Sequence, residues 1–153
     1  MNEIYSQEHM EESIKKFVDG INRQDTRFMS FMKAEFVRCS LEKKELTLKF
    51  KVLEWELNSQ NSLHGGIISS MFDSTFGFLG HYFSDNRYIA TISLTTNYLK
   101  PIWKDEEIEV RVKISSLGKK VINLMGEMVI PKRNETIAGT STASFMILDH
   151  KYK

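Results

Sequence analysis

From Ile67 to Gly80 the chain is apolar nearly all the way round a helix, with Ile67, Ile68, Met71, Phe72, Phe76 and Phe78 spread over every face. Most helices of a small domain keep one wet side. One without a wet side belongs in an interior, so this stretch must be a buried element around which the rest of the chain folds. In its middle stands Asp73. A carboxylate on a buried helix is costly unless it is paired or used. Just before the helix, Asn58-Ser59-Gln60-Asn61-Ser62-Leu63-His64-Gly65-Gly66 places a His and two glycines at the expected helix start.

The flanking sequence says what wraps this helix. Gln7 to Ile21 is amphipathic, with Met10, Ile14, Phe17, Val18 and Ile21 on one side and acids and lysines on the other. Asn22 to Ser30, polar with a few large apolar residues, reads as a loop or fraying turn. Phe36 to Leu41 and Glu45 to Leu53 read as two strands joined at Glu42-Lys43-Lys44; Leu46, Leu48, Phe50 and Val52 alternate with polar residues. After the helix, which is expected to end near Gly80, and a turn at Ser84 to Arg87, Tyr88 to Leu99 is β-branched and aromatic until Pro101 stops it. Glu107 to Ser116, Val121 to Pro131 and Thr136 to Leu148 follow, joined by short turns. Short turns make antiparallel neighbours, and a sheet with one apolar face needs a cover. The predicted fold is α+β: a strongly curved antiparallel sheet around one central helix, with the N-terminal helix packed outside.

Bulk properties narrow the function. The 153 residues suffice for one domain with a real core. The formal net charge of +1 gives no excess for neutralising nucleic-acid phosphates. A single cysteine, Cys39, allows no internal disulfide. The first residues have no basic region leading into an apolar run, and no stretch reaches the roughly 18 apolar residues of a membrane span. A cytoplasmic protein with no nucleic-acid or membrane partner is expected. His9, His81 and His150 show no ligand spacing with one another or with Cys39. Ser69, Ser70 and Ser74 lack a nucleophile-elbow pattern. No metal or redox cofactor is implied. Lys100, Lys119, Lys120, Lys132 and Arg133 could meet phosphates, but basic residues in turns are usually only solvated.

The run Asn58-x5-His64-Gly65-Gly66-x6-Asp73-x3-Gly77, followed by Ala90 to Pro101 with its Tyr98-Leu99-Lys100-Pro101 ending, resembles the hotdog-fold acyl-CoA thioesterases of the phenylacetate-degradation (PaaI-like) branch. The resemblance covers roughly residues 36 to 148. It implies a single hotdog domain over 1–153, with 1–30 as an N-terminal helical extension and 33–149 as the core. One departure is Asn61, where the family usually has a Gly three residues before the His. Asn tolerates left-handed backbone better than most residues, so the loop shape is expected to survive. The resemblance also implies an acyl-CoA substrate, with coenzyme A leaving as product, and a homodimer or pair of dimers with sites between subunits.

Thioester hydrolysis needs a place for oxyanion charge and a base or nucleophile. The helix start supplies unpaired amides and the positive end of a dipole. Gly65 and Gly66 let a carbonyl come close, and the Gly66 amide is the candidate that polarises it. Asp73, its pKa expected to be raised by apolar neighbours, is the candidate general base or nucleophile. Asn58 and His64 match family positions that orient water or thioester, though either can equally serve as a turn or helix-start residue. Thr91 matches a hydroxyl that would hold the water for Asp73. Met71, Phe72 and Phe76 are expected to line the acyl pocket. Seven residues, about 10 Å of helix, separate Gly66 from Asp73. A base must act within about 3 Å, so Asp73 is expected to serve the carbonyl held by a second, antiparallel copy. The alternative is a non-catalytic module that binds an acyl-CoA or acyl carrier. An acyl dehydratase fits less well, because that chemistry wants a His where Asp73 stands.

Overall fold

The computed structural model describes residues 5–151. Its elements are α1 (Gln7–Asn22), α2 (Phe28–Phe31), β1 (Glu35–Ser40), β2 (Glu45–Lys51), a 3₁₀ turn (Glu54–Glu56), α3 (Gly65–Phe83), β3 (Arg87–Tyr98), β4 (Glu107–Leu117), β5 (Val121–Ile130) and β6 (Thr136–Lys151). Six antiparallel strands form one sheet in the order β1-β2-β4-β5-β6-β3. α3 carries the chain across this sheet, from β2 near one edge to β3 at the other. This is the α+β hotdog arrangement expected from the sequence.

The alternation in β2 turns Leu46, Leu48 and Phe50 inward, where they meet Ile108, Val110 and Val112 of β4 and the buried face of α3. Burying each such side chain contributes on the order of 2 kcal/mol, so this register is strongly specified. Phe72 and Phe76 stack at 5.9 Å between ring centres in the middle of the core.

Three local expectations change. α1 does not lie outside: its Met10, Ile14 and Val18, four residues apart, enter the same core, and the helix packs on β1 and α3. At the end of the stretch read as a loop or fraying turn, and one residue beyond it, Phe28–Phe31 form a single helical turn. α3 continues a turn past Gly80 and ends at Phe83, followed by left-handed Asp85 and Asn86. Gly80 is there for packing, since a Cβ would sit 3.0 Å from Ile89 Cδ1 on β3.

β3 also departs from simple alternation. Its register with β6 shifts between Thr91 and Ser93. Such a bulge re-aims the side chains beyond it. Before the shift, odd-numbered Ile89 and Thr91 face α3; after it, even-numbered Tyr98 does, bonded to Ser69. Strict period-two geometry would put Thr91 and Tyr98 on opposite faces. The bulge lets one strand meet both the middle and the start of α3.

Candidate active site

The loop before α3 is held by its own polar groups. Asn58 Oδ1 accepts the Gln60 and Ser62 amides at 2.9 and 3.2 Å, and Asn58 Nδ2 donates to Ser62 Oγ at 3.0 Å. Asn61 has φ 61°, the left-handed conformation anticipated for a position where glycine is usual. Leu63 N–H bonds to Ile102 O at 2.8 Å and His64 N–H to Glu56 O at 2.9 Å, which fixes where the helix begins. Asn58 is thus the organiser of this turn, with its polar atoms spent on it.

His64 caps α3: its Nδ1 accepts the Gly66 amide at 2.9 Å. That nitrogen therefore carries no proton in this arrangement. The Gly65 amide makes no hydrogen bond among the described residues. A Cβ on Gly65 would lie 3.3 Å from the Tyr98 ring, whose hydroxyl meets Ser69 Oγ at 2.6 Å. Beside this helix start is a cleft of about 280 Å³, walled by Asn58, Leu63, Ile68, Tyr98, Leu99 and Ile102.

Asp73 lies two turns along, on the stripe Gly66, Ser70, Asp73 and Gly77 that α3 leaves uncovered by the sheet. Thr91 Oγ1 donates to Asp73 Oδ1 at 2.8 Å. Burial pushes the Asp73 pKa up, and the Thr91 bond partly offsets this. The hydroxyl thus holds the carboxylate itself, where the resemblance had it hold a water.

Met71, Phe72 and Phe76 are fully buried in the protomer core, and the cleft takes its apolar walls from other residues. A larger cleft of about 530 Å³ lies on the sheet face turned away from α3, lined by Arg38, Thr47, Arg111, Lys113 and Glu127; it contains none of the expected site residues. Among the described residues no group of three His, Cys, Asp or Glu side chains is placed to hold a metal.

Two residues beside the site carry no signal of a role in the sequence. Tyr98 was visible only as part of the run ending at Pro101. Glu56 is 0% exposed; its Oε2 accepts the Leu53 amide at 2.9 Å while Oε1 has no partner among the described residues. Burial pushes its pKa up to about 7. Nothing local distinguishes Glu56 from a solvent-facing acid.

The curved sheet around one helix, with a glycine helix start and a desolvated acid on the open stripe, defines a hotdog-fold protein with a candidate hydrolytic site. Residues 60–137 match the model of the thioesterase superfamily, and the chain belongs to that superfamily. Solved structures agree in fold. The E. coli PaaI protein from the phenylacetic acid degradation operon has a TM-score of 0.78 at 13% identity, covering 94% of this chain and 99% of that one. Zebrafish thioesterase superfamily member 2 has 0.80 at 14%, covering 90% and 97%. A Streptococcus mutans protein bound to acetyl-CoA has 0.68 at 16%, covering 78% and 91%. No curated protein sequence matches the chain.

Proposed function

We propose that this protein hydrolyses an acyl-CoA thioester, with Asp73 of one subunit acting on a carbonyl held at the α3 start of another. The observation that carries this is the Thr91–Asp73 bond. It orients a partly buried carboxylate by one oxygen, while the other, Oδ2, has no hydrogen bond among the described residues, and Asp73 stands on the same stripe as Gly66. A merely structural Asp would be expected to spend both oxygens on protein donors.

The reach argument then calls for a second copy. Gly66 and Asp73 face the same way but lie about 10 Å apart along the helix. A two-fold axis near Ser70 sets a partner's Asp73 beside this Gly66, and the reverse. Ser70 is suited to that place, because its hydroxyl is turned back onto Gly66 O at 2.7 Å and presents little bulk. β3 supplies the surface. It is an edge strand with no charge or proline from Tyr88 to Tyr98. Monomeric proteins usually defend such an edge. Paired β3 edges would continue the sheet across the dimer.

In this site the thioester oxygen meets the Gly65 and Gly66 amides, displacing the His64 ring, and the helix dipole favours the developing charge. Asp73 then takes a proton from water as water attacks. Otherwise it attacks directly, forming an anhydride that water cleaves. Both routes expel coenzyme A as a thiolate and leave a free acid. Leu63, Ile68, Tyr98, Leu99 and Ile102 offer an apolar wall for the substrate beside the amides. The acetyl-CoA bound by the Streptococcus mutans neighbour supports a CoA ligand.

The test is subunit complementation with a panel of acyl-CoAs and a thiol-reactive dye. Asp73→Asn and Gly66→Val are each expected to be inactive. Mixed and reassociated in equal amounts, they should regain about a quarter of wild-type activity, because half the dimers are mixed and each of those has one intact site. No recovery from demonstrably mixed dimers would place both groups in one subunit. Tight acyl-CoA binding by wild type without release of thiol would favour the non-catalytic module.

A further inference from the structure

α2 is one helical turn whose large side chains point the wrong way for a core element. Ser30 and the following Met32 are buried and Met29 is half-buried, while Phe28 and Phe31 face outward. Trp55, from the 3₁₀ turn, packs edge-on to both, with ring centres 6.2 and 6.4 Å away. Phe28, Phe31 and Trp55 are 48%, 44% and 47% exposed. Exposed and packed on one another, the three rings form one apolar tip.

Charge says what the tip fits. Exposed Arg23, Arg27 and Lys33 flank α2, and Asp25 is the single acid between residues 23 and 33. Glu54, next to Trp55, is paired with Lys104 at 2.6 Å. A second copy docked by the same face would set these cations against their own kind. An anionic lipid surface meets both features: headgroup charge attracts the basic rim, and Trp and Phe rings settle at interfacial depth. Among the described residues no helix is long and apolar enough to cross a membrane, so the mode is peripheral.

We propose that the Phe28–Phe31–Trp55 tip, with Arg23, Arg27 and Lys33, docks this protein on anionic lipid bilayers. This amends the expectation of no membrane partner. It does not depend on the hydrolytic assignment. The 3₁₀ turn that carries Trp55 runs into the loop that delivers His64.

The experiment is co-sedimentation of the full chain with phosphatidylcholine vesicles, with and without phosphatidylserine, at low and high salt. In a Trp103→Phe background, Trp55 fluorescence reports insertion. Wild type is expected to bind the phosphatidylserine vesicles, with a blue shift and with loss at high salt. Phe28→Ser with Phe31→Ser should weaken binding by about tenfold or more. Arg27→Gln and Lys33→Gln should each cost about fivefold. These positions are exposed, so unchanged circular dichroism and melting are expected in all variants. Failure of wild type to pellet would overturn the proposal, as would equal binding by the double Phe variant. Loss of oligomer in that variant, without lipid binding by wild type, would assign the tip to another protein copy.

Discussion

Thr91 Oγ1 donates to Asp73 Oδ1 at 2.8 Å across the interface between β3 and α3. The bond favours the carboxylate, whereas burial favours the neutral acid and is the larger effect. Activity requires the carboxylate, so it should fall as pH drops through the Asp73 pKa. Removing the hydroxyl leaves burial unopposed. Thr91→Val should therefore move the acidic limb of the kcat/KM profile to higher pH, while Thr91→Ser keeps it in place. Asp73→Asn should lower kcat by about 10² to 10⁴. Because the folded-state pKa is raised, ionisation of Asp73 works against folding as pH rises through that value. The Asn variant should consequently melt no lower than wild type at neutral pH. An inactive variant that is also unfolded would leave Asp73 as a structural residue.

Gly66 separates activity from stability. A Cβ there would meet His64 Nδ1 at 3.0 Å and Cε1 at 3.1 Å, so Gly66→Ala pushes the imidazole off its cap and crowds the approach to the amide. Ala is the better helix former by about 1 kcal/mol, which offsets the loss of a cap of similar worth. The melting temperature should hold while kcat/KM falls by about tenfold or more. Unimpaired turnover would remove the Gly66 amide from the reaction.

The parts of this architecture visible in the sequence were those with long, repeated physical signals. α3 stood out because an apolar surface on every face has one place to go. β2 stood out because Leu46, Leu48 and Phe50 repeat at the pleat spacing, and all three are buried. Asp73 and Thr91 could be nominated, and the structure brings them together. What stayed hidden depends on single residues or on tertiary context. The bulge between Thr91 and Ser93 shifts alternation by one step inside a strand whose threonines and serines fit either face. Gly80 reads as a stop when it is a contact with Ile89. Met71, Phe72 and Phe76 would look the same in sequence facing a ligand as facing the core, and they face the core. α2 is too short to show a period.

Glu56 predicts an unusual pH dependence of stability. It is fully buried, has one oxygen without a partner among the described residues, and has a pKa pushed from an ordinary 4.5 up to about 7. A raised folded-state pKa means the stabilising form is the neutral acid. Its contribution is complete below pH 4.5 and disappears as pH climbs through 7. The cost of ionisation is at most roughly 3 kcal/mol at pH 8. Glu56→Gln keeps an acceptor for the Leu53 amide without the charge. It should match wild type in urea unfolding at pH 5 and exceed it at pH 8. Equal stability of the two proteins at both pH values would mean that water reaches the carboxylate.

The β3 edge ties assembly to chemistry. Ile92 sits at the bulge and is 52% exposed, so a lysine there should leave the protomer folded. A charge in the middle of an unpaired edge is how sheet proteins discourage strand-to-strand association. Ile92→Lys should therefore run as a monomer in light scattering and lose thioester hydrolysis in the same sample, while its circular dichroism matches wild type. Raising protein concentration should restore oligomer and activity in parallel, since each site needs an acid from one copy and amides from the other. A fully active monomer would mean that Asp73 reaches a thioester within its own chain, and the two-copy geometry would have to be given up.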